Sequence, residues 1–75
     1  MLTITDTTIT SDEITAHAEF RPHAAADGNG AWLVTTRPGR LLGRSQAITA
    51  LTIAEELARP EPDRLLIESL EGELP

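Results

Sequence analysis

Ile14-Thr15-Ala16-His17-Ala18-Glu19-Phe20-Arg21 is the stretch on which the fold turns. In an extended chain Ile14, Ala16, Ala18 and Phe20 fall on one side, and Thr15, His17, Glu19 and Arg21 on the other. A period of two marks a half-buried strand. A helix competes, because Ala and Glu favour helices and Thr10 with Glu13 imitates a capping box. Helical spacing scatters the apolar set around the axis, so residues 14–21 are predicted as a strand. Pro22 ends it.

Working outward on the C-terminal side, residues 24–30 form a loop, with Asp27-Gly28 and Asn29-Gly30 supplying positive-φ positions. Ala31-Trp32-Leu33-Val34-Thr35-Thr36 is a second strand, with Trp32, Val34 and Thr36 on one face. The two strands are predicted to pair as an antiparallel hairpin over residues 14–37. Pro38-Gly39 is a turn, and Ser45 reads as the N-cap of a main helix over 45–59. Ala47, Ala50, Leu51, Ala54, Leu57 and Ala58 make its core-facing stripe, flanked by Ile48 and Ile53. Pro60 and Pro62 stop it. Leu65, Leu66, Ile67 and Leu70 follow in a short element over 63–72, helix or strand, with Asp63 as a cap and Gly72 as a stop. Residues from Glu71 to Pro75 read as a loose acidic tail, with 73–75 beyond the last element.

On the N-terminal side, Leu2, Ile4 and Ile9 are spread through a Thr-rich segment whose alternation breaks at Asp6. Residues 1–10 are therefore expected to form an edge strand or an ordered arm, followed by a turn at Ser11-Asp12. The order predicts an α+β fold in one small domain, residues 1–75. A small antiparallel sheet of two or three strands packs on one main helix, with a short C-terminal helix or strand. The face turned away from the helix carries His17, Glu19 and Arg21.

Composition sets bounds on function. A 75-residue chain buries little apolar surface, and a single core of this size supplies only ~3–5 kcal/mol. With no Cys, disulfides and thiolate metal sites are excluded. Self-association, as a homodimer, or a host protein partner is the expected additional support. The N-terminus lacks a basic region followed by an apolar run, and no apolar run approaches the ~20 residues of a membrane helix. A cytoplasmic protein without a membrane partner is expected.

Charge is segregated along the chain. The net charge is -6, yet residues 28–54 hold no acid and three arginines, Arg37, Arg40 and Arg44. They flank Pro38-Gly39 and lead into a helix N-terminus, a place that suits phosphates. All six cations are Arg, which reads as the codon bias of a high-GC genome and weakens any special meaning of an Arg cluster. A net negative chain with three phosphate contacts in prospect is a poor polyanion binder. The competing reading pairs these arginines with carboxylates of the same chain, of a second copy or of a partner.

Catalytic constellations are thin. His17, Glu19 and the nearby His23 are the residues able to hold a metal or move a proton, but no third His, Cys or motif joins them. There is no nucleophile elbow, and Gly28-Asn29-Gly30 precedes a strand, so it is neither a P-loop nor a dinucleotide fingerprint. No catalytic, cofactor-binding or metal residue is assigned, and no cofactor is expected.

The stretches Ser11–His23 and Pro38–Ala50 resemble short uncharacterised proteins of high-GC Gram-positive bacteria, some of them in integrated or plasmid-like elements. The resemblance implies no activity; it implies an accessory or regulatory role. Taken together, the sequence predicts a small non-enzymatic interaction module that self-associates. The interaction candidates are Arg37, Arg40, Arg44, His17, Glu19, Arg21 and Trp32. The alternative is a nucleic-acid-binding regulator using the Arg37–Arg44 segment.

Overall fold

The computed structural model describes residues 1–23 and 30–74. Four strands and two helices follow one another: β1 (Leu2–Ile4), β2 (Thr8–Ser11), β3 (Ala18–Arg21), β4 (Ala31–Val34), α1 (Arg44–Leu57) and α2 (Arg64–Glu71). The fold is α+β, as the sequence predicts. The sheet is an antiparallel meander in the order β1-β2-β3-β4, one strand more than expected.

The extra strand comes from the Thr-rich segment, which is a hairpin rather than one strand or arm. Leu2 pairs with Ser11, Thr3 with Thr10 and Ile4 with Ile9. The break in alternation at Asp6 is its turn. Thr5 Oγ1 accepts from the backbone N–H of Thr8 at 3.0 Å and of Thr7 at 3.3 Å, and Thr5 N–H donates to Thr8 O at 2.9 Å. A threonine hydroxyl thus does what a backbone turn would otherwise do.

The predicted strand over 14–21 is shorter, because only Ala18–Arg21 joins the ladder as β3. Residues 12–17 carry the chain from β2 back into the sheet. Phe20 sits opposite Trp32, Ala18 opposite Val34 and Glu19 opposite Leu33, so the hairpin with a long connection is present. The strand expected over 31–36 stops at Val34, and Thr35 and Thr36 enter a turn. Gly30, with φ +81, supplies a positive-φ position before β4; the Asp27–Asn29 part of that expectation lies outside the described residues.

Alternation sorts the sheet. Leu2, Ile9, Ala18, Phe20, Trp32 and Val34 face α1, and Ile9 and Leu51 are the large side chains sealed completely from water. Ala47, Ala50 and Leu51 are the helix residues that meet them. Alanine at 18, 47 and 50 keeps the surfaces flat enough for close approach. The Phe20 and Trp32 rings lie 5.6 Å apart at 52°, a tilted contact worth ~0.5–1.5 kcal/mol beyond area.

The main helix begins two residues earlier than the sequence reading placed it. Its N-cap is Gly43 rather than Ser45, and Gln46 Oε1 accepts from Gly43 N–H at 2.9 Å. Gln46, at the third helical position, reaches back as the reciprocal half of a capping box does. After Pro60 and Pro62, the short C-terminal element is a helix. Asp63 caps it by accepting from Leu66 N–H at 3.1 Å, and Gly72 ends it. The tail is not loose throughout: Glu71 belongs to α2 and Leu74 packs against the core. Pro75 lies outside the described residues.

Two glycines allow a controlled test of this packing. A Cβ on Gly30 would stand 2.5 Å from Phe20 Cζ, whereas a Cβ on Gly39, with φ +79, would meet nothing within 4 Å. Gly39→Ala is expected to cost about 1 kcal/mol, the left-handed strain alone. Gly30→Ala adds the displacement of a core ring and is expected to cost roughly 2–4 kcal/mol. Urea unfolding midpoints of the two variants measure the difference directly.

Candidate functional site

α1 covers one face of the sheet, and α2 packs on α1. The other face shows a shallow groove of about 280 Å³, lined by residues that include His17, Glu19, Arg21, Leu33, Arg37 and Pro38. Strand alternation puts Glu19, Arg21 and Leu33 on that side, because their neighbours Ala18, Phe20, Trp32 and Val34 are spent on the core. His17 is fixed just ahead of β3. Its N–H donates to Thr35 Oγ1 at 3.1 Å, and its carbonyl accepts from Thr35 N–H at 3.0 Å.

The groove is a row of alternating charge. Arg21 Nη2 lies 2.9 Å from Glu19 Oε2, and His17 Nε2 lies 3.7 Å from Glu19 Oε1. All three side chains are about half exposed, so these pairs are worth ~0–1 kcal/mol each and orient the groups rather than hold the fold. The predicted candidates His17, Glu19, Arg21 and Arg37 are therefore brought to one surface. Trp32 is not: it is 4% exposed and belongs to the core. Its partner face was readable from the alternation, since Trp32 and Val34 share a side.

The three arginines are distributed. Arg37 Nη2 donates to Glu71 Oε1 at 3.0 Å, tying the turn after β4 to the end of α2. Arg37 and Arg40 both line a second cavity, of about 210 Å³, with Leu42 and Leu74. Arg44 opens α1, a position where the helix dipole disfavours a cation. Arg37 and Arg40 thus meet at one cavity, and Arg37 is held there by a carboxylate.

His17, Glu19 and His23 do not assemble a metal-ligating set. Among the described residues the ligand atoms that converge are those of Asp12, Glu13 and Glu55. The α-amino group of Met1 sits between them, 2.7 Å from Asp12 Oδ1, 2.8 Å from Glu55 Oε2 and in contact with Glu13. Ser11 Oγ donates to Glu55 Oε2 at 2.6 Å. The cluster is a lock between the first hairpin and α1. Sequence reasoning missed it, although Glu55 standing amid apolar helix residues was a signal.

Electrostatics follow from this packing. Burial pushes the Glu55 carboxyl up, but hydrogen bonds from the α-amino group and Ser11 outweigh it and set the pKa below its ordinary 4.5. The hydrogen bond from the α-amino group holds Asp12 below its ordinary 3.8. Hydrogen bonds to Asp12, Glu13 and Glu55 raise the α-amino group from 8.0 to about 11.

Comparison with known proteins finds no matching family model, no matching curated protein and no matching solved structure. No described helix is long and apolar enough to cross a membrane.

The carboxylate lock has a pH signature. A carboxyl whose pKa is lowered in the folded state contributes stability that is complete above its unfolded value and is lost as pH falls through the folded one. The urea midpoint is expected to be flat between about pH 7 and 5 and to fall below roughly pH 4.5. Glu55→Gln should lower the neutral plateau and shrink the acid-side drop.

Proposed function

We propose that this chain is a small non-enzymatic interaction module that works as a homodimer, in an accessory or regulatory role. One observation carries the reading: the sheet is packed on one side only. α1 covers the inner face, while on the outer face Glu19 and Leu33 are half-buried and Arg21 is exposed, and no described strand pairs with the outer side of β1. A domain with two completely buried large side chains, Ile9 and Leu51, has little core to spare. A second copy adds burial without lengthening the chain.

The outer face supports binding rather than chemistry. Its groove is shallow and solvated, and its His17–Glu19 contact is 3.7 Å long, about half exposed and shared with Arg21, which pairs with the same carboxylate. The competing reading, a nucleic-acid regulator using Arg37–Arg44, is weakened by the Arg37–Glu71 pair and by a net charge of -6. Phosphate binding would first have to displace Glu71.

Two measurements test the proposal. Sedimentation equilibrium at high micromolar concentration is expected to show a dimer of the 8.1 kDa chain. A single 8.1 kDa species throughout would sink it. In a salt series with random duplex DNA and RNA, no steep salt-dependent binding is expected. Tight binding at low salt that vanishes as salt rises would favour the alternative.

A further inference from the structure

The two edges of the sheet are finished differently. On β4 the outward backbone groups of Trp32 are occupied: Trp32 N–H donates to Leu42 O at 2.8 Å, and Leu42 N–H donates to Trp32 O at 3.1 Å. Val34 O accepts from Arg37 N–H at 3.0 Å. That edge is occupied at these three groups. β1 is the first strand of the order, and among the described residues nothing pairs with its outer side.

The ladder fixes which groups face outward there. Thr5 N–H donates to Thr8 O, and Asp12 N–H donates to Met1 O. In the register that pairs Thr3 with Thr10, the odd residues of this strand turn their N–H and C=O toward β2. The even residues, Leu2 and Ile4, turn theirs outward. Two donors and two acceptors thus stand in a row, symmetric about Thr3. Water can satisfy these groups one by one, but an extended segment is the protein element that satisfies the whole row.

We infer that the occupant is β1 of a second copy, paired antiparallel about a two-fold axis through Thr3, which joins the two sheets into one of eight strands. In this register Leu2 of one copy and Ile4 of the other exchange both backbone hydrogen bonds, four bonds in all across the axis. The side chains agree with the backbone. Leu2 packs on the core, and Ile4, on the same face, remains 41% exposed at the open edge. Pairing sets Ile4 beside the partner's Leu2 and runs the two apolar faces together. Leu2, Thr3 and Ile4 carry no charge, so the seam brings no like charges together although each chain is at -6. The contact is short: a stable interface buries ~1,600 Å², and three residues a side fall well below that. A weak dimer, formed at high micromolar concentration, is the consequence.

This inference rests on the self-association proposed above and goes further by naming the contact. Its test uses the absence of cysteine. Thr3 faces the axis as a non-hydrogen-bonded pair, with Cα atoms ~4.5 Å apart, within disulfide reach. Thr3→Cys is expected to form a disulfide-linked dimer readily under mild oxidation. Thr10→Cys, three strand spacings or ~14 Å from its mate, is not. Ile4→Pro removes one outward donor per copy and leaves the β1–β2 ladder intact. It should raise the dimer dissociation constant by about tenfold or more, while Ile4→Val stays near wild type. A wild-type dimer that neither cross-links through Thr3→Cys nor responds to Ile4→Pro overturns the edge and leaves self-association on another surface. A monomer at every concentration overturns both. Pairing of β1 with an extended segment of a different protein, seen as a mixed disulfide of Thr3→Cys without self-linkage, also overturns the two-fold contact.

Discussion

Everything in this fold depends on one helix lying close against one face of the sheet. Leu51 and Ile9 are completely buried, and Ala18, Ala47 and Ala50 keep the gap between helix and sheet narrow. Burying a leucine or isoleucine side chain is worth about 1.5–3 kcal/mol, a large share of what so small a core can supply. The same economy explains what is uncovered. With only 14 residues in α1 and 8 in α2, the chain has helix enough for a single face. The outer face is built from Thr, Glu, Arg and a half-buried Leu33 because water is its ordinary neighbour.

Two buried acids join the parts that apolar packing leaves loosely connected. Glu55 is 7% and Glu56 6% exposed, consecutive on α1 but aimed at different partners. Glu55 accepts from Ser11, across 44 residues of sequence, and holds the first hairpin against the helix. Glu56 accepts from Arg59 Nη1 at 2.8 Å and from the backbone N–H of Asp63 at 2.9 Å, which fixes the turn where α2 begins. Burying a carboxylate is unfavourable unless its oxygens find donors. Here both do, and no buried side-chain polar atom among the described residues lacks a partner.

The strands and helices were legible where the local pattern and the tertiary contact agree. Ala18–Arg21, Ala31–Val34 and the first part of the α1 stripe, Ala47, Ala50 and Leu51, are of this kind; Leu57 and Ala58, expected in the same stripe, are exposed at the end of the helix, where Glu55 and Glu56 are the buried residues. Asp63 and Gly72 bounded α2 correctly because caps are local chemistry. The failures also have local causes. The Thr-rich segment contains a turn whose key atom is the Thr5 hydroxyl, and a threonine run does not reveal which hydroxyl will fold back. Ile14 and Ala16 continue the period of β3, but the chain needs those residues to cross from β2, and connection length overrides alternation. Trp32 was readable as an inward residue from Val34, yet an aromatic on a short strand also suits a binding surface. The carboxylate lock was the least legible, because an acid on a helix is usually solvated and its partners here are remote in sequence.

Charge makes the same point about remoteness. Along the sequence the arginines at 37, 40 and 44 stand in an acid-free segment between two acidic ends. Folding undoes part of that segregation, since Glu71 of the last helix returns to Arg37. A basic patch that would recruit a polyanion needs cations gathered and carboxylates kept away. Here a carboxylate, Glu71, sits on Arg37. What the fold leaves open is a row of backbone donors and acceptors at one edge. That row is uncharged and directional, because Leu2, Thr3 and Ile4 carry no charge of their own even though the chain is at -6.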